Sequence, residues 1–483
     1  MLLRRSLVPL TLAVTFALLA AACTSDDGPG AAVRGADPVD EGLIEEAEEQ
    51  AEKTELRLEA LEQAREAGTL GVTERIRSAP APGWAGEVIL NDTGDDWEPA
   101  IATDPGSDFV YVLHNRYGVS PCQGPCPDPA IIVHVSRDGG ETWRDERYLC
   151  ECRGAHGQWD PLLEVVPETG DLYAMWMNDY KIHFASSSDH GRTWGEPVLV
   201  HPDVKWGDKP NFATSADGQS VYVSINGPED GDVYASSSHD AGATWTTVRV
   251  TDDDRYHFAY GTAVLPDGRV ISTQISYTYS GPANSAEGSV RIHVYASDDE
   301  GATWTETVVD ELELGVPCTS AWCYADFYDS GPALAADADG DLVIVYSGAA
   351  EPGGPRTVYA RSSRDGGRTW GDRVRLSPEG VNAAFAAAAG RDNGDVRIYF
   401  ADQRTGRWNV WYRSSRNLGG SWTRAVLISD ATSGTDYKNA KGFIEFYGDY
   451  GEIAITGSGN TVAVWGEGLS YLGPGGVWFN REQ

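Results

Sequence analysis

The sequence predicts an all-β protein, a seven-bladed β-propeller closed by an N-terminal strand, with a secretion signal and one helix ahead of it. Three observations support this prediction. Helix-forming patterns end before residue 86, one eight-residue motif then recurs six times, and the intervals between copies match the size of a four-stranded blade. A six-bladed ring is the alternative.

The chain begins with a pattern typical of export. Arg4 and Arg5 precede an apolar run that ends at Ala22, directly before Cys23. The run is too short for a transmembrane helix and matches a signal peptide. Small residues before Cys23 resemble the lipobox of bacterial lipoproteins, in which the cysteine is lipidated and becomes the mature N-terminus. The resemblance implies a signal peptide over 1–22 and an exported protein anchored to the cell membrane; an ordinary cleaved signal is the alternative.

The remaining six cysteines fit an oxidising compartment, where an even number indicates disulfides. Cys318 and Cys323 are the simplest local pair. The other four form a second cluster whose pairing the sequence leaves open: Cys122, Cys126, Cys150 and Cys152. A zinc site is the rival interpretation, and the missing histidine pair argues against it.

The composition excludes some partners. A formal net charge of −36 repels nucleic acid and anionic lipid, so contact with the membrane is predicted through the lipid anchor alone. The chain also contains 16 Trp and 22 Tyr, which suit both blade packing and sugar rings. No cofactor motif is present and no metal site is predicted. The acidic run Asp337, Asp339 and Asp341 is predicted to be a hairpin turn; a calcium site is the alternative, and the position of Gly340 does not fit an EF-hand loop.

Three segments precede the repeats. Residues 23–39 are rich in Gly, Pro, Asp and Ala and are predicted to be a flexible tether. Residues 40–68 are dense in Glu, Ala, Leu and Gln with apolar residues at three- and four-residue spacing, which predicts a helix. This helix either packs on the flank of the propeller, which we favour, or forms a stalk. Residues 69–85 are predicted to be a linker before the propeller of residues 86–483.

The repeat has the form S-x-D-x-G-x-T-W. Its six copies are Ser136–Trp143, Ser187–Trp194, Ser238–Trp245, Ser297–Trp304, Ser363–Trp370 and Ser415–Trp422, and their tryptophans are separated by 51, 51, 59, 66 and 52 residues. Glycine at the fifth position allows the positive φ of a tight hairpin, and the aspartate can accept turn amides. The tryptophan is expected to pack on the neighbouring blade.

This motif resembles the Asp box of the sialidase-like BNR-repeat superfamily. The resemblance implies that the boxes are structural and lie opposite the active face. The last copy carries Asn417 and Ser421 in place of Asp and Thr, so its turn is expected to be weaker. A seventh unit has strands at Glu452–Thr456, Thr461–Trp465 and Gly476–Asn480 but no box, and Glu87–Leu90 is predicted to supply its fourth strand.

Aromatic and acidic residues directly precede the predicted inner strands, at the mouth of the central channel. We select Trp97, Trp159, Asp208 and Asp449 as ligand-binding candidates. Aromatic rings can stack on sugar C–H faces while carboxylates accept hydroxyl hydrogen bonds, which predicts a glycan ligand, or else an extracellular protein. Packing of blades is the alternative role.

Resemblance to sialidases implies specific catalytic positions. Tyr450 occupies the place of the tyrosine nucleophile, and Arg404 and Arg116 could bind a sialate carboxylate. Asp160 is the candidate acid. The family's first arginine is replaced by Trp97, and no third arginine is evident.

Three functions remain open on the sequence. A glycan- or protein-binding propeller with at most divergent glycosidase activity is favoured because the arginine set is incomplete. An exo-α-sialidase is the enzymatic alternative, and an envelope assembly scaffold is the third.

Overall fold

The structure is a computed structural model that describes residues 41–68, 79–119, 126–144, 146–205, 207–227, 231–279, 286–314, 331–429, 451–468 and 474–483. The signal peptide, the tether and part of the linker lie outside the described residues. So do five of the selected side chains: Cys23, Cys318, Cys323, Asp449 and Tyr450.

One helix and two strand groups open the described chain. The helix α1 is Glu41–Ala67, within the predicted range of 40–68, and β1 is Val88–Ile89. The first group comprises β2 (Asp95–Thr103), β3 (Val110–Tyr117), β4 (Ala130–Ser136) and β5 (Arg147–Tyr148). The second comprises β6 (Gln158–Val165), β7 (Leu172–Asn178), β8 (Lys181–Ser187) and β9 (Val198–Leu199).

Five further groups follow. The third is β10 (Asp208–Thr214), β11 (Val221–Gly227), β12 (Asp232–Ser238) and β13 (Thr246–Arg249). The fourth is β14 (Tyr256–Val264), β15 (Val270–Tyr279), β16 (Ala286–Ser297) and β17 (Thr305–Glu313). The fifth is β18 (Ala333–Ala336), β19 (Leu342–Ala349), β20 (Arg356–Ser363) and β21 (Val374–Arg375). The sixth is β22 (Ala383–Gly390), β23 (Val396–Asp402), β24 (Asn409–Ser415) and β25 (Val426–Leu427), and the seventh is β26 (Glu452–Ile455), β27 (Thr461–Gly468) and β28 (Gly475–Arg481).

The strands of each group form an antiparallel meander, which confirms the all-β prediction. The fourth and fifth groups share one eight-stranded sheet, joined by the single pair Glu313 and Ala349. The first strands contact one another in the cyclic order β2, β6, β10, β14, β18, β22, β26 and back to β2. The N-terminal β1 pairs with β28, with Val88 opposite Phe479 and Ile89 opposite Trp478, so the two ends of the repeat region share one sheet.

The hydrophobic core lies between adjacent groups. One cluster combines Leu113 and Val133 of the first group with Leu172 and Trp176 of the second. Another joins Tyr412 of the sixth group to the seventh. Each group therefore buries its apolar face on its neighbour, as sheets must when they pack face to face.

The repeated motif forms a hairpin turn between the third and fourth strands. In the third copy, Ser238 Oγ donates to Asp240 Oδ1 at 2.8 Å, and the Thr244 N–H and hydroxyl donate to the two carboxylate oxygens at 2.8 and 2.6 Å. The hydrogen bond from the Thr244 side chain is the main cause that lowers the pKa of Asp240 to about 2. These aspartates are satisfied within their own turns.

Backbone geometry explains the motif's glycine. Residues four and five of all six copies have positive φ, for example 56° at Ala241 and 85° at Gly242. Two consecutive positive values are typical of the type I′ turn, which matches the twist of a hairpin. In the last copy both Ser421 donors bond the single Oδ1 of Asn417, and the hydroxyl does so at 3.3 Å, so this turn lacks the second acceptor.

The motif's tryptophans pack on the preceding group. Trp245 of the third group meets Phe184 of the second edge to face, with centroids 5.6 Å apart. Trp143 of the first group meets Phe479 of β28 at 4.9 Å. This second contact crosses the seam where the first and seventh groups meet.

Helix α1 packs on the first group rather than standing free. Its Leu61 is fully buried, and Leu58 packs against Trp97 and Tyr117. No described helix is long and apolar enough to cross a membrane.

Two of the clusters noted in the sequence have a definite structure: the described cysteines form disulfides and the acidic run forms a turn. Cys150 and Cys152 are joined by a disulfide, and Cys126 is disulfide-bonded as well. Asp337 Oδ1 accepts the N–H groups of Asp339 and Asp341 at 3.0 Å, so this acidic run is a tight turn.

Two adjacent glycines test how tightly the seam is packed. A Cβ at Gly140 would lie 2.2 Å from Phe479 Cζ, whereas a Cβ at Gly139 would meet nothing within 4 Å, and both residues have positive φ. Gly140→Ala is expected to lower the free energy of unfolding by about 2–4 kcal/mol, because overpacking adds to backbone strain. Gly139→Ala, the matched control, is expected to cost only about 1 kcal/mol. Denaturant unfolding checks this, and equal effects would show that the contact with Phe479 is not limiting.

Candidate functional site

The first strands begin on the face opposite the motif turns, which we call the entry face. Near this face the pairing register shifts at Trp97/Ala100, Trp159/Leu162 and Asp208/Asn211, so each strand carries a β-bulge. The bulged residues are Glu98, Asp160 and Lys209, with φ of 55°, 52° and 48°. Each precedes a proline, which has no N–H to offer the ladder. In the motif turns a positive φ belongs to the hairpin, but here it lies inside a strand, where such backbone strain is typical of functional sites.

The bulged side chains connect neighbouring groups. Glu98 Oε2 accepts the backbone N–H of Asp160 at 2.9 Å and the Asn115 amide at 2.7 Å. Asp160 in turn accepts the backbone N–H of Lys209 at 3.4 Å. The carboxylate of one group thus holds the bulge of the next, which fixes three charged residues at the entry face.

Lys209 supplies the positive charge in this hydrogen-bonded series. Its ammonium lies 3.3 Å from Asp160 Oδ1 and 3.4 Å from Asp208 Oδ1. Asp160 is fully buried, whereas the Asp208 side chain is 21% exposed. Of the selected residues, Asp160 and Asp208 are therefore brought together, through a lysine that was not selected.

The two selected tryptophans are buried. Trp159 Nε1 donates to the Tyr117 hydroxyl at 3.2 Å, and Trp97 meets the Tyr117 ring edge to face at 6.4 Å. The Arg57 guanidinium of α1 lies 3.4 Å from the centroid of Trp97. Both tryptophans contribute to one aromatic cluster around Tyr117, and the Trp97 ring is covered by an arginine of the same chain.

Arg116 belongs to a buried ion network. Its Nε lies 2.5 Å from Asp96 Oδ1, and its Nη1 lies 2.6 Å from Glu146 Oε1. Burial is the largest influence on Asp96 and raises its pKa, although Arg116 opposes this effect. His114 and His134 adjoin the network, with their Nε2 atoms 2.9 Å apart. Both guanidinium edges of Arg116 are engaged by carboxylates.

Arg404 is engaged in a similar way. Its Nε donates to both carboxylate oxygens of Asp402, at 2.9 and 2.8 Å, and its guanidinium stacks 3.7 Å over the ring of Trp411. In the described part of the chain no hydrogen bond or ion pair joins Arg404 to Arg116. Each arginine instead neutralises a carboxylate of its own strand group.

A cavity of about 460 Å³ lies inside the ring of first strands and is lined by residues of all seven groups. Its wall is largely apolar but includes Glu164 and Glu452. Ile101 N–H donates to Glu452 Oε2 at 2.7 Å. Burial raises the pKa of Glu452 to about 7, and burial together with Glu452 raises the pKa of Glu164 to about 8. The cavity thus holds two carboxyl groups that favour the protonated form.

Sequence reasoning missed Glu98, Lys209 and the cavity glutamates. A signal for the first two exists in the triplets Trp97–Pro99, Trp159–Pro161 and Asp208–Pro210, which align one charged residue before each proline. Glu164 and Glu452 carry no comparable signal because they lie within ordinary strand patterns. Among the described residues no group of three or more His, Cys, Asp or Glu could hold a metal ion.

The cavity glutamates predict a pH dependence of stability. A carboxyl whose folded pKa is raised contributes stability below its ordinary pKa of about 4.5, and this contribution is lost as the pH rises towards about 8. Glu164→Gln is therefore expected to flatten the fall in melting temperature between pH 5 and 8. Thermal unfolding across this range checks the prediction, with the exposed Glu168→Gln as the matched control. An unchanged slope in Glu164→Gln would contradict it.

Comparison with known proteins agrees with the resemblance that the repeated motif indicated. Residues 267–460 match the family described as BNR repeat-like domain. The sialidase of Micromonospora viridifaciens is 26% identical over 313 residues, which cover 56% of this chain and 44% of that protein. The chain thus spans less than half the length of this relative.

Solved structures with similar backbones include three proteins of different kinds. An ulvan lyase of polysaccharide lyase family PL25 has a TM-score of 0.49 at 11% identity, over 82% of this chain and 94% of that one. A protein of unknown function from Dyadobacter fermentans has a TM-score of 0.47 at 13% identity, over 83% and 99%. The Hadza microbial sialidase Hz136 has a TM-score of 0.41 at 16% identity, over 81% and 66%. The family match and the six motif turns confirm the Asp-box resemblance: the chain resembles the sialidase-like superfamily of BNR-repeat proteins.

Proposed function

We propose that this protein is a glycan-binding propeller whose ligand site lies on the entry face, around Glu98, Asp160, Asp208 and Lys209. The observation that carries this proposal is the series of charged residues at the β-bulges, which have strained backbone and are hydrogen-bonded from one strand group to the next. Strained backbone persists only where surrounding structure holds it, and it concentrates where ligands bind. The site lies at the opening of the ring of first strands, where concave surfaces form in this architecture.

The chemistry of the site favours a neutral sugar. Two carboxylates, Asp160 and Asp208, flank the Lys209 ammonium, and Glu98 adds a third carboxylate to the site, so the local charge is negative and matches the acidic chain as a whole. Carboxylates accept hydrogen bonds from sugar hydroxyls, and Lys209 can donate to a ring or hydroxyl oxygen. Asn115 Oδ1, beside Glu98, is buried with no hydrogen-bond partner among the described residues and offers a further acceptor.

The arginines weigh against a sialidase. A sialate carboxylate needs guanidinium groups that are free to form bidentate pairs. Arg116 is held between Asp96 and Glu146, and Arg404 is held by Asp402. A ligand carboxylate would have to displace an existing partner from either residue. The exo-α-sialidase with Tyr450 as nucleophile therefore remains the second candidate, favoured by the resemblance to sialidases alone.

Two further proposals concern the number of blades and the location of the protein. We propose that the seven strand groups are seven blades, because their first strands contact in a cycle and β1 completes the last group. We also propose that Cys23 carries a lipid anchor that holds the propeller on the outer side of the membrane, as its signal-like context implies.

The glycan proposal predicts a selective effect of one substitution. Asp208→Asn keeps the shape of the side chain but removes the charge, so binding of neutral oligosaccharides is expected to fall about ten- to a hundredfold, as for loss of a charge-assisted hydrogen bond. An array of neutral and sialylated oligosaccharides measures this, with Asp252→Asn as control because that side chain is 86% exposed. Binding restricted to sialylated probes, or equal binding by both variants, would contradict the proposal.

The enzymatic alternative has its own test. The unsubstituted chain and Tyr450→Phe are incubated with a fluorogenic sialoside. We expect no turnover by either protein, because both described candidate arginines are already paired. Turnover that is lost in Tyr450→Phe would establish the sialidase instead.

The anchor is tested in cells of an expressing bacterium. Cys23→Ser removes the thiol that would be lipidated, so the chain is expected to move from the membrane fraction to the soluble fraction. Incorporation of labelled fatty acid into the unsubstituted chain is the direct measurement. Equal membrane association of both forms would argue against the lipid anchor.

A further inference from the structure

Helix α1 places a buried arginine on the entry face. Arg57 is 2% exposed, although arginine is rarely buried without partners. Its guanidinium lies 3.4 Å from the centroid of the Trp97 ring and 5.0 Å from that of Tyr117. Two aromatic faces therefore surround the cation, in the geometry of a cation–π contact.

A buried carboxylate completes the surroundings of this guanidinium. Arg57 Nη1 lies 3.1 Å from Asp95 Oδ2, and Asp95 is fully buried. The other oxygen, Oδ1, accepts the N–H of Gly475 at 2.8 Å, so Asp95 is oriented by the seventh strand group independently of the helix. Aromatic rings with one fixed carboxylate are the groups that recognise a guanidinium or ammonium ligand.

The remainder of α1 is only shallowly attached. Among its described side chains, Arg57 and Leu61 are buried, while those facing away from the strands are exposed. Leu58 adds an apolar contact with Trp97 and Tyr117. An element with few buried contacts opens more readily than the sheets beneath it.

We propose that Trp97, Tyr117 and Asp95 form a guanidinium-binding pocket at the edge of the entry face, with Arg57 as its built-in occupant. An arginine side chain of a partner protein competes with Arg57 for this pocket and displaces α1. The net charge of −36 favours the approach of a basic partner. This pocket adjoins the sugar site at Trp97 and Glu98, but its proposal does not depend on glycan binding.

The chemistry of the pocket is tested by rescue. Arg57→Ala removes the guanidinium and is expected to lower the melting temperature of the full chain. Ethylguanidinium, at ten times its dissociation constant, is expected to restore about 2 °C, because it binds the folded state selectively. Ethylurea, its neutral analogue, is expected to restore nothing. Arg65→Ala is the matched control, since Arg65 is 41% exposed on the same helix, and ethylguanidinium should not stabilise it.

Displacement of the helix is tested on the unsubstituted chain. Hydrogen–deuterium exchange of residues 41–67 is measured with the blocked peptide Gly-Arg-Gly and with the same peptide containing citrulline. Faster exchange of α1 with the arginine peptide alone supports the proposal. A lack of selective rescue would show that the pocket does not recognise guanidinium. Rescue without faster exchange would show that Arg57 stays in the pocket. That result would overturn the proposal that a partner's arginine displaces α1.

Discussion

The pairing of β1 with β28 is the interaction on which the rest of the structure depends. Each strand group packs its apolar face on the next, so an open array would leave two exposed faces and two free sheet edges. The short strand Val88–Ile89 joins the beginning of the repeat region to its end. Phe479 beside Trp143 and Gly475 bound to Asp95 reinforce the same seam from either side.

Closure has a consequence at each face of the molecule. On one face, the motif turns satisfy their own polar atoms, so their aspartates are committed to structure. On the other, the β-bulges direct charged side chains towards neighbouring groups, and Glu98 and Asp160 each hold the backbone of the next bulge. Polar atoms are thus satisfied within single turns on one face and between neighbouring strand groups on the other.

Ion pairing decides which charged residues remain available for a ligand. Arg116 and Arg404 are placed beside carboxylates of their own strand groups, and Arg57 of the helix lies against the Trp97 ring. A buried charge must be paired, so a ligand could bind these arginines only by displacing a partner that each already has. Lys209 is paired as well, between Asp160 and Asp208, but the Asp208 side chain is 21% exposed, so this ion pair is where the proposed site meets solvent.

The sequence by itself determined the all-β class, the six turns, the helix and the pairing of the N-terminal strand, because these depend on local patterns of glycine, aspartate and alternating apolar residues. It also selected Asp160 and Asp208. It did not indicate that Lys209 joins them, nor that Arg57 covers Trp97, because these contacts link residues 49 and 40 positions apart, one between strand groups and one between the helix and a strand. Only the tertiary structure decided which charges are neutralised, since a side chain's partner depends on which strands become neighbours and not on the pattern along one strand.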